Sequence, residues 1–398
     1  MHNPNPRAAE ATTVPLDPSV LEAVLPAVAA ALEGGPALLP LPAGPAPLRD
    51  SIEATLRPDL PVEADVALVV PTSGSTGTPK GVLLSAAAIR ASADATYARL
   101  GGTGRWLLAL PATHVAGLMV LARSVLAGTT PVALDLTDGF DPESFAAASI
   151  RLFAASGSRR FTSLVPRQLA ALLDAGSCVV ESLAAYDAVL LGGSAVPTEL
   201  VERARQCGVR LVPTYGMSET CGGCVYNGVP LDGVKVETAG DGRIRLAGPM
   251  LARGYRLRPD LTADAFDHGW FITADAGRIG PDGRLEITGR MDEVAVTGGV
   301  NVPLAAVDAA VSEHPQVTEA CAVALPDAEW GERIVVAVIA ADPDDPPTLE
   351  SVRTLILRGL PAAYAPKELI VVDDLPRLPG EKADRVAMTA RLRPYRSA

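Results

Sequence analysis

The chain has 398 residues, enough for two or three domains of ordinary size with a sizeable buried core, so a small stapled scaffold is excluded. Hydrophobic residues make up 48% and charged residues 20%, which excludes a mainly disordered chain, and with only 4% aromatic residues Ala, Val and Leu must fill the core. The 34 Lys and Arg against 46 Asp and Glu leave a net charge of −12, which opposes non-specific binding to nucleic acid or anionic membranes and demands a locally positive site for any anionic ligand. Residues 1–66 form a short front end. Over residues 1–64, short apolar helical patterns alternate with Pro- and Gly-rich breaks such as Gly34-Gly35-Pro36. Met1 to Pro15 has no basic segment leading into an apolar run, so no secretory signal is read. From Ala67 the texture changes: Ala67 to Val70 reads as a buried strand, followed by a polar Gly-rich turn and an Ala-rich helix from Ser85. Apolar runs at Trp106–Leu110, Val132–Leu134, Ala188–Leu191 and Leu211–Val212 alternate with helical patterns and predict a parallel-rich α/β domain. The apolar stretch Trp106–Leu126 is broken by Pro111, His114 and Arg123 and reads as core, not as a membrane span. Shorter strands and turns between Gly228 and Glu286 predict a small β unit. A compact α+β segment follows Asp292, with a helix over Leu304–Glu313, strands over Glu319–Ala324 and Ile334–Ala340, and a helix over Leu349–Leu360. Five cysteines, an odd number, point to reduced thiols and a cytoplasmic protein.

The stretch Pro71-Thr72-Ser73-Gly74-Ser75-Thr76-Gly77-Thr78-Pro79-Lys80-Gly81 directly after a strand combines hydroxyls, glycines and one cation, the requirements for cradling phosphate oxygens. It is not a Walker loop, because Lys80 follows Gly77 by three residues and Gly81 stands where a magnesium-binding hydroxyl would. Downstream stand Tyr215-Gly216-Met217-Ser218-Glu219-Thr220, Trp270-Phe271-Ile272-Thr273-Ala274-Asp275, Thr288-Gly289-Arg290-Met291-Asp292 with Thr297-Gly298-Gly299-Val300-Asn301, and Leu375-Pro376-Arg377 running through Gly380-Glu381-Lys382 to Asp384-Arg385.

In this order the five segments resemble the adenylate-forming superfamily of acyl-CoA synthetases, peptide-synthetase adenylation domains and luciferases. The resemblance implies a large N-terminal AMP-binding domain over residues 1–291 and a mobile C-terminal lid over 292–398, turning about Asp292. It implies ATP contacts from Thr72, Ser73, Gly74, Ser75, Thr76, Gly77, Lys80, Gly193, Ser194, Thr214, Tyr215, Gly216, Met217 and Ser218. Asp275 and Arg290 would grip the ribose, Glu219 and Thr76 would hold Mg2+, Gly298 and Gly299 would line the path of CoA, and Lys382 would drive adenylation. Glu381 stands where the family has glycine before that lysine. An oxygen ligand such as Glu219 suits magnesium. The chemistry needs this set: a carboxylate must attack the α-phosphorus of ATP, an encounter of two anions that requires compensating positive charge, and a thiol then displaces AMP. The lid candidate supplies some of it, since residues 351–398 hold 9 Lys and Arg against 5 Asp and Glu.

For the acid, Leu110 to Gly117 with His114, Arg123-Ser124-Val125, Thr162-Ser163-Leu164-Val165-Pro166 and Cys221-Gly222-Gly223-Cys224 are similar to o-succinylbenzoate-CoA ligases of actinobacterial type, which serve menaquinone biosynthesis. That substrate has two carboxylates, one to activate and one to hold. His114 is assigned to the pocket and to catalysis, and Arg123, Thr162, Ser163, Gly222 and Gly223 to the acyl group. Arg123, in an apolar helical pattern, must pair, reach solvent or bind an anion. The Cys221/Cys224 spacing would suit a metal or redox pair, but no second pair accompanies it, and a non-metal role is expected. The expected partners are a small carboxylic acid, ATP and CoA, with no nucleic acid and no membrane insertion, and a homodimer left open. Two alternatives stay open: ligation of another aromatic or branched acid, and a catalytically silent nucleotide-binding protein.

Overall fold

The structure, a computed structural model, describes residues 6–44, 46–73, 79–154, 157–194, 196–291, 293–377 and 383–393. The chain divides into two compact units, one of Met1–Val236 with Arg245–Ile272 and one of Glu237–Ile244 with Thr273–Ala398.

The first unit begins with β1 (Ala9–Val14), α1 (Val20–Ala23), α2 (Leu25–Leu32), β2 (Ala37–Pro42), α3 (Ala46–Leu56), β3 (Val66–Ser73) and β4 (Pro79–Ser85). Its front end, expected as helical patterns with breaks, thus contains two strands. β1 pairs in parallel with β2 from Ala9↔Ala37 to Val14↔Pro42, and β2 meets β3 at Leu38↔Leu68. The prolines at 40 and 42 donate no N–H to a ladder, which is why Ala37–Pro42 reads locally as a break. The expected order of strand, glycine-rich loop and helix is also corrected: Pro79–Ser85 is a strand antiparallel to β3, with Thr72↔Lys80 in register, so a second strand precedes the helix.

The chain continues through α4 (Ala86–Leu100), β5 (Gly104–Leu108), α5 (Val115–Leu126), β6 (Val132–Ala133), α6 (Pro142–Phe153), β7 (Arg159–Leu164), α7 (Pro166–Asp174), α8 (Ser177–Ala184), β8 (Ala188–Leu191), α9 (Thr198–Gln206), β9 (Leu211–Met217), β10 (Gly222–Tyr226) and β11 (Val229–Pro230). Local chemistry sets the helix ends. The Ser85 hydroxyl accepts from Ala88 N at 3.1 Å to start α4, and Gly101, at φ +81°, closes it. Asp141 caps α6 by accepting from Ser144 N at 2.8 Å.

These strands form a seven-stranded sheet in the order β11-β10-β9-β8-β7-β5-β6, parallel from β6 through β9. β8 is buried at every residue, as expected of a parallel strand covered on both faces. On one face α5 joins a core holding Trp106 and Phe161, whose ring centroids lie 5.1 Å apart. On the other, α6, α7, α8 and α9 close over Phe145, Leu169, Leu183 and Leu200. Every residue of α5 from Gly117 to Ser124 is buried, so it is a core helix and not an amphipathic surface one.

Next come β12 (Lys235–Thr238), β13 (Arg243–Ala247), β14 (Gly254–Tyr255), α10 (Pro259–Ala265), β15 (Phe266–Asp267) and β16 (Trp270–Ile279), the last leading the chain into the second unit. β14 returns to the front sheet, pairing antiparallel with β4 at Gly254↔Leu83 and Tyr255↔Val82.

The second unit holds β17 (Leu285–Arg290), β18 (Val294–Thr297), β19 (Val300–Pro303), α11 (Leu304–Ser312), β20 (Val317–Asp327), β21 (Gly331–Ala340), α12 (Leu349–Leu357), β22 (Glu368–Val371) and α13 (Arg385–Leu392). Its main sheet runs β19-β18-β21-β20, with β22 parallel to β21. One core gathers Val307, Val311, Val352 and Ile356 from α11 and α12, and another gathers Met388 and Leu392 of α13 against Cys321 and Val335. Arg385, at the start of α13, donates to Glu293 Oε2 at 2.8 Å, to Asp308 and to the Ala322 carbonyl. Burial pushes the Asp308 carboxyl up, and the Arg385 charge opposes that shift.

Candidate active site

The order of the parallel strands locates a crevice. The chain leaves β5 for β6 by α5 on one face, then crosses back through α6 to β7 and moves outward to β8 and β9 by helices on the other face. Connections therefore diverge between β5 and β7, and in such sheets ligands bind beyond the carboxyl ends of the strands at that switch point. The first-unit candidates lie at these ends: His114 in the loop after β5, Thr162 and Ser163 at the end of β7, Gly193 and Ser194 after β8, and Thr214 to Glu219 at and beyond the end of β9.

The β7, β8 and β9 ends are tied together. Gly192 N donates to the Leu164 carbonyl at 3.2 Å, and the Thr214 hydroxyl donates to the Leu191 carbonyl at 3.1 Å. Gly193 and Ser194 are exposed, and Tyr215 is half-buried. Gly216 is irreplaceable on steric grounds: at φ +157°, a Cβ there would stand 2.1 Å from the Gly222 carbonyl oxygen. The Met217 amide donates to Thr220 Oγ1 at 2.9 Å, and the wholly buried Thr220 hydroxyl reaches the Gly222 carbonyl at 2.7 Å. Ser218 is buried, and Glu219 follows half-buried in a short 3-10 turn.

Glu219 has a partner that the sequence motifs did not flag. The Tyr255 hydroxyl donates to Glu219 Oε1 at 2.7 Å, and Lys80 Nζ lies 5.4 Å from the centroid of the Tyr255 ring. Burial first, then the Glu219 carboxylate, pushes the Tyr255 phenol up, so it remains a donor. Thr72 and Lys80 face each other at the root of the hairpin, with Thr72 Oγ1 3.4 Å from the Lys80 carbonyl. Gly74, Ser75, Thr76 and Gly77 lie outside the described residues, as does the side chain of Ser73. Tyr255 is one of 7 tyrosines in a chain poor in aromatic residues, and it reaches Glu219 through tertiary pairing of β14 with β4.

On the acyl side, α5 packs on β7 and β10. His114 stands at its N-cap position, half-buried, and burial lowers its pKa. Gly117 lets the helix start close to the preceding loop, since a Cβ there would lie 2.4 Å from the Pro111 carbonyl oxygen. Arg123 is only 3% exposed, and its guanidinium carbon lies 5.3 Å from the centroid of the Trp106 ring. Its Nε has no hydrogen-bond acceptor, and among the described residues it has no carboxylate partner. Its guanidinium thus stacks on Trp106 and is neither paired with a carboxylate among the described residues nor substantially exposed. Its charge is felt by the buried Cys221 thiol, which burial pushes up, and the Cys224 thiol is pushed up to about 12 by burial. Cys221 sits at φ 52° and Gly222 at φ +83°, a turn held by the Ser92 hydroxyl donating to the Cys221 carbonyl at 3.2 Å. The Thr162 hydroxyl donates to the Leu107 carbonyl at 3.2 Å, which leaves it only acceptor capacity, whereas Ser163 makes no such bond among the described residues. Gly223 is pressed against Thr214 and Tyr226, where a Cβ would meet atoms at 3.0 and 3.1 Å.

In the second unit, Asp275 and Arg290 are cross-strand partners on β16 and β17. The Asp275 amide donates to Thr273 Oγ1 at 3.0 Å, and Arg290 Nε lies 3.6 Å from Glu293 Oε1. Gly298 and Gly299, both at positive φ, form the two-residue turn between β18 and β19, with Gly298 N donating to the Trp330 carbonyl at 2.9 Å. Asp292, Glu381 and Lys382 lie outside the described residues.

A large α/β unit with its crevice at the carboxyl ends of parallel strands, followed by a small α+β unit, is the adenylate-forming fold. The chain belongs to the AMP-binding enzymes: the AMP-binding enzyme family matches residues 20–256, and the AMP-binding enzyme C-terminal domain matches residues 306–382. The chain is 46% identical over 374 residues to the probable 2-succinylbenzoate–CoA ligase of Mycobacterium tuberculosis, covering 92% of this chain and 94% of that one. It is 31% identical over 342 residues to the 2-succinylbenzoate–CoA ligase of Geobacillus kaustophilus, covering 80% and 68%. Among solved structures it resembles the o-succinylbenzoate CoA synthetase of Bacillus subtilis in complex with its acyl-adenylate intermediate, at TM-score 0.74 and 26% identity over 90% of this chain and 78% of that one.

Proposed function

We propose that this protein is an ATP-dependent 2-succinylbenzoate–CoA ligase that works through an acyl-adenylate and serves menaquinone biosynthesis in the cytoplasm. The observation that carries the reading is the 46% identity with a ligase of that name over more than nine-tenths of both chains. Among the described residues no helix is long and apolar enough to cross a membrane. The buried Arg123 favours a dianionic acid over a long apolar one: a cation that cannot discharge, held away from water without a carboxylate, suits a bound carboxylate.

In this reading one carboxylate of the acid, positioned beside His114, Gly222 and Gly223, attacks the α-phosphorus of ATP, while Arg123 and Ser163 hold the other. Thr72, Ser73, Gly74, Ser75, Thr76, Gly77 and Lys80 cradle the phosphates, Tyr215 packs on adenine, and Asp275 with Arg290 holds the ribose. The half-buried Glu219 fits a magnesium site, because Oε1 is engaged by Tyr255 and Oε2 has no hydrogen-bond donor among the described residues. Glu219 and Thr76 would hold the ion, which supplies positive charge to the phosphates when bound. Lys382 neutralises charge during adenylation, and the CoA thiol, arriving past Gly298 and Gly299, then displaces AMP. The mobile part is taken to begin at Asp292, which divides the chain into residues 1–291 and 292–398.

Purified protein with magnesium-ATP and o-succinylbenzoate should release pyrophosphate, and with CoA should form AMP and the thioester. Release with a different aromatic or branched acid, and none with this one, would overturn the substrate. Lys382→Ala should depress adenylation at least about 100-fold while sparing thioester formation from preformed acyl-adenylate. Equal loss in both half-reactions would remove Lys382 from its role.

A further inference from the structure

The Tyr255 side chain belongs to none of the segments that suggested the function, yet it joins two of them. Its strand is pinned to β4 by Arg253 N donating to the Leu83 carbonyl at 2.9 Å and by Arg256 N donating to the Gly81 carbonyl at 2.8 Å. The Tyr255 amide donates to Thr262 Oγ1 at 2.9 Å, and the ring is met edge-on by Phe266 at 6.0 Å between centroids. The phenol is therefore fixed before any ligand arrives. It donates to Glu219 Oε1 at 2.7 Å, the short separation of a charge-assisted bond, while Lys80 lies over its ring. The Glu219 backbone is held from the same side, its carbonyl accepting from Ala252 N at 2.8 Å.

We propose that Tyr255 is the positioning residue for the magnesium-binding carboxylate: it occupies Oε1, selects one orientation of the Glu219 side chain and leaves Oε2 for the metal. This rests on the ligase reading above. A carboxylate without such a partner rotates among several orientations, and ordering it on metal binding costs affinity. Orientation has to come from a neutral donor, because a cation bonded to Glu219 would compete with the metal for its charge. Lys80, which could have been that cation, is held instead over the face of the Tyr255 ring and faces Thr72 across the hairpin.

The test measures ATP binding by titration calorimetry with acid and CoA omitted, over a series of magnesium chloride concentrations. Tyr255→Phe keeps the ring and its packing on Phe266. The expected result is that the magnesium concentration for half-maximal tightening of ATP rises about 10-fold, with metal-free ATP affinity unchanged. In a Glu219→Gln background, Tyr255→Phe should then add nothing. A Tyr255→Phe protein with wild-type magnesium dependence would overturn the proposal, as would equal weakening of metal-free and magnesium-loaded ATP, or full additivity with Glu219→Gln. A wild-type protein that binds ATP without any response to magnesium would instead overturn the assignment of Glu219 and with it the ligase reading.

Discussion

Two arginines of the first unit are almost equally buried, Arg256 at 4% and Arg123 at 3% exposure, and the protein treats them in opposite ways. Arg256 sits where α3 ends and points its guanidinium at the carbonyls of Leu56, Arg57, Leu60 and Pro61. Those are the orphan acceptors of a helix C-terminus and of the turn beyond it, so the cation answers both its own donors and the end of the helix dipole. Arg123 lies on the flat of Trp106, its Nε without an acceptor. A buried guanidinium with its donors matched is a structural part. One left short of an acceptor fits, on the proposed function, a binding part whose partner is a carboxylate of the acid.

The comparison breaks most sharply at Arg256. Arg256→Met should lower stability by about 2 kcal/mol, since the buried Leu56 carbonyl and three part-buried ones beside it lose their donor together, and leave the Michaelis constants of the surviving protein near wild type. Urea unfolding monitored by circular dichroism checks it. A loss under about 1 kcal/mol would show that water replaces the guanidinium easily and that the matched donors are incidental.

Arg123→Met should do the reverse. Removing an unmatched buried cation should leave thermal stability unchanged or raise it by about 1 kcal/mol, while the KM for the dianionic acid rises about 100-fold and that for ATP stays put. A monocarboxylate analogue lacking the second acid group should lose far less. If the variant is instead destabilised with its KM for acid intact, the Trp106 stack is the role of Arg123 and the two arginines differ only in style of packing.

What could be read in advance follows from the range over which each signal acts. β5 and β8 announce themselves because both faces are covered, so each holds an apolar run visible within a few residues, whereas β7, with Arg159, Arg160, Thr162 and Ser163, holds none. Ser85, Asp141 and Gly101 mark helix ends by their own chemistry, and the glycine and hydroxyl segments carry enough local character to point to phosphate handling. β2 and β4 were hidden because Pro40, Pro42 and Pro79 obey local turn logic while tertiary pairing decides otherwise. That Arg123 is buried was legible from its apolar helical surroundings, but that its guanidinium lies over Trp106 and near Cys221 depends on two other segments. Tyr255 was wholly hidden. It lies 36 residues from Glu219, on a two-residue strand whose pairing no local pattern predicts.

His114 offers the smallest and most discriminating contrast, because it is a half-buried cation-former that, unlike arginine, can discharge. Burial lowers its pKa from the ordinary 6.5, so the folded protein keeps it neutral where the unfolded chain would take up a proton. The sign follows by linkage. Above about pH 6.5 neither state is protonated and the full stability is present; as the pH falls below that value the unfolded state binds the proton first, and stability declines until the folded imidazole titrates as well. His114→Asn should flatten this part of the profile without shifting the plateau above it, which melting temperatures taken across about pH 5 to 8 would resolve. A variant whose profile stays as steep as wild type would mean that other groups set the slope. It would also remove the contrast with Arg123, since on the proposed function a neutral imidazole at the helix start would leave the dianionic acid one fixed charge to meet rather than two.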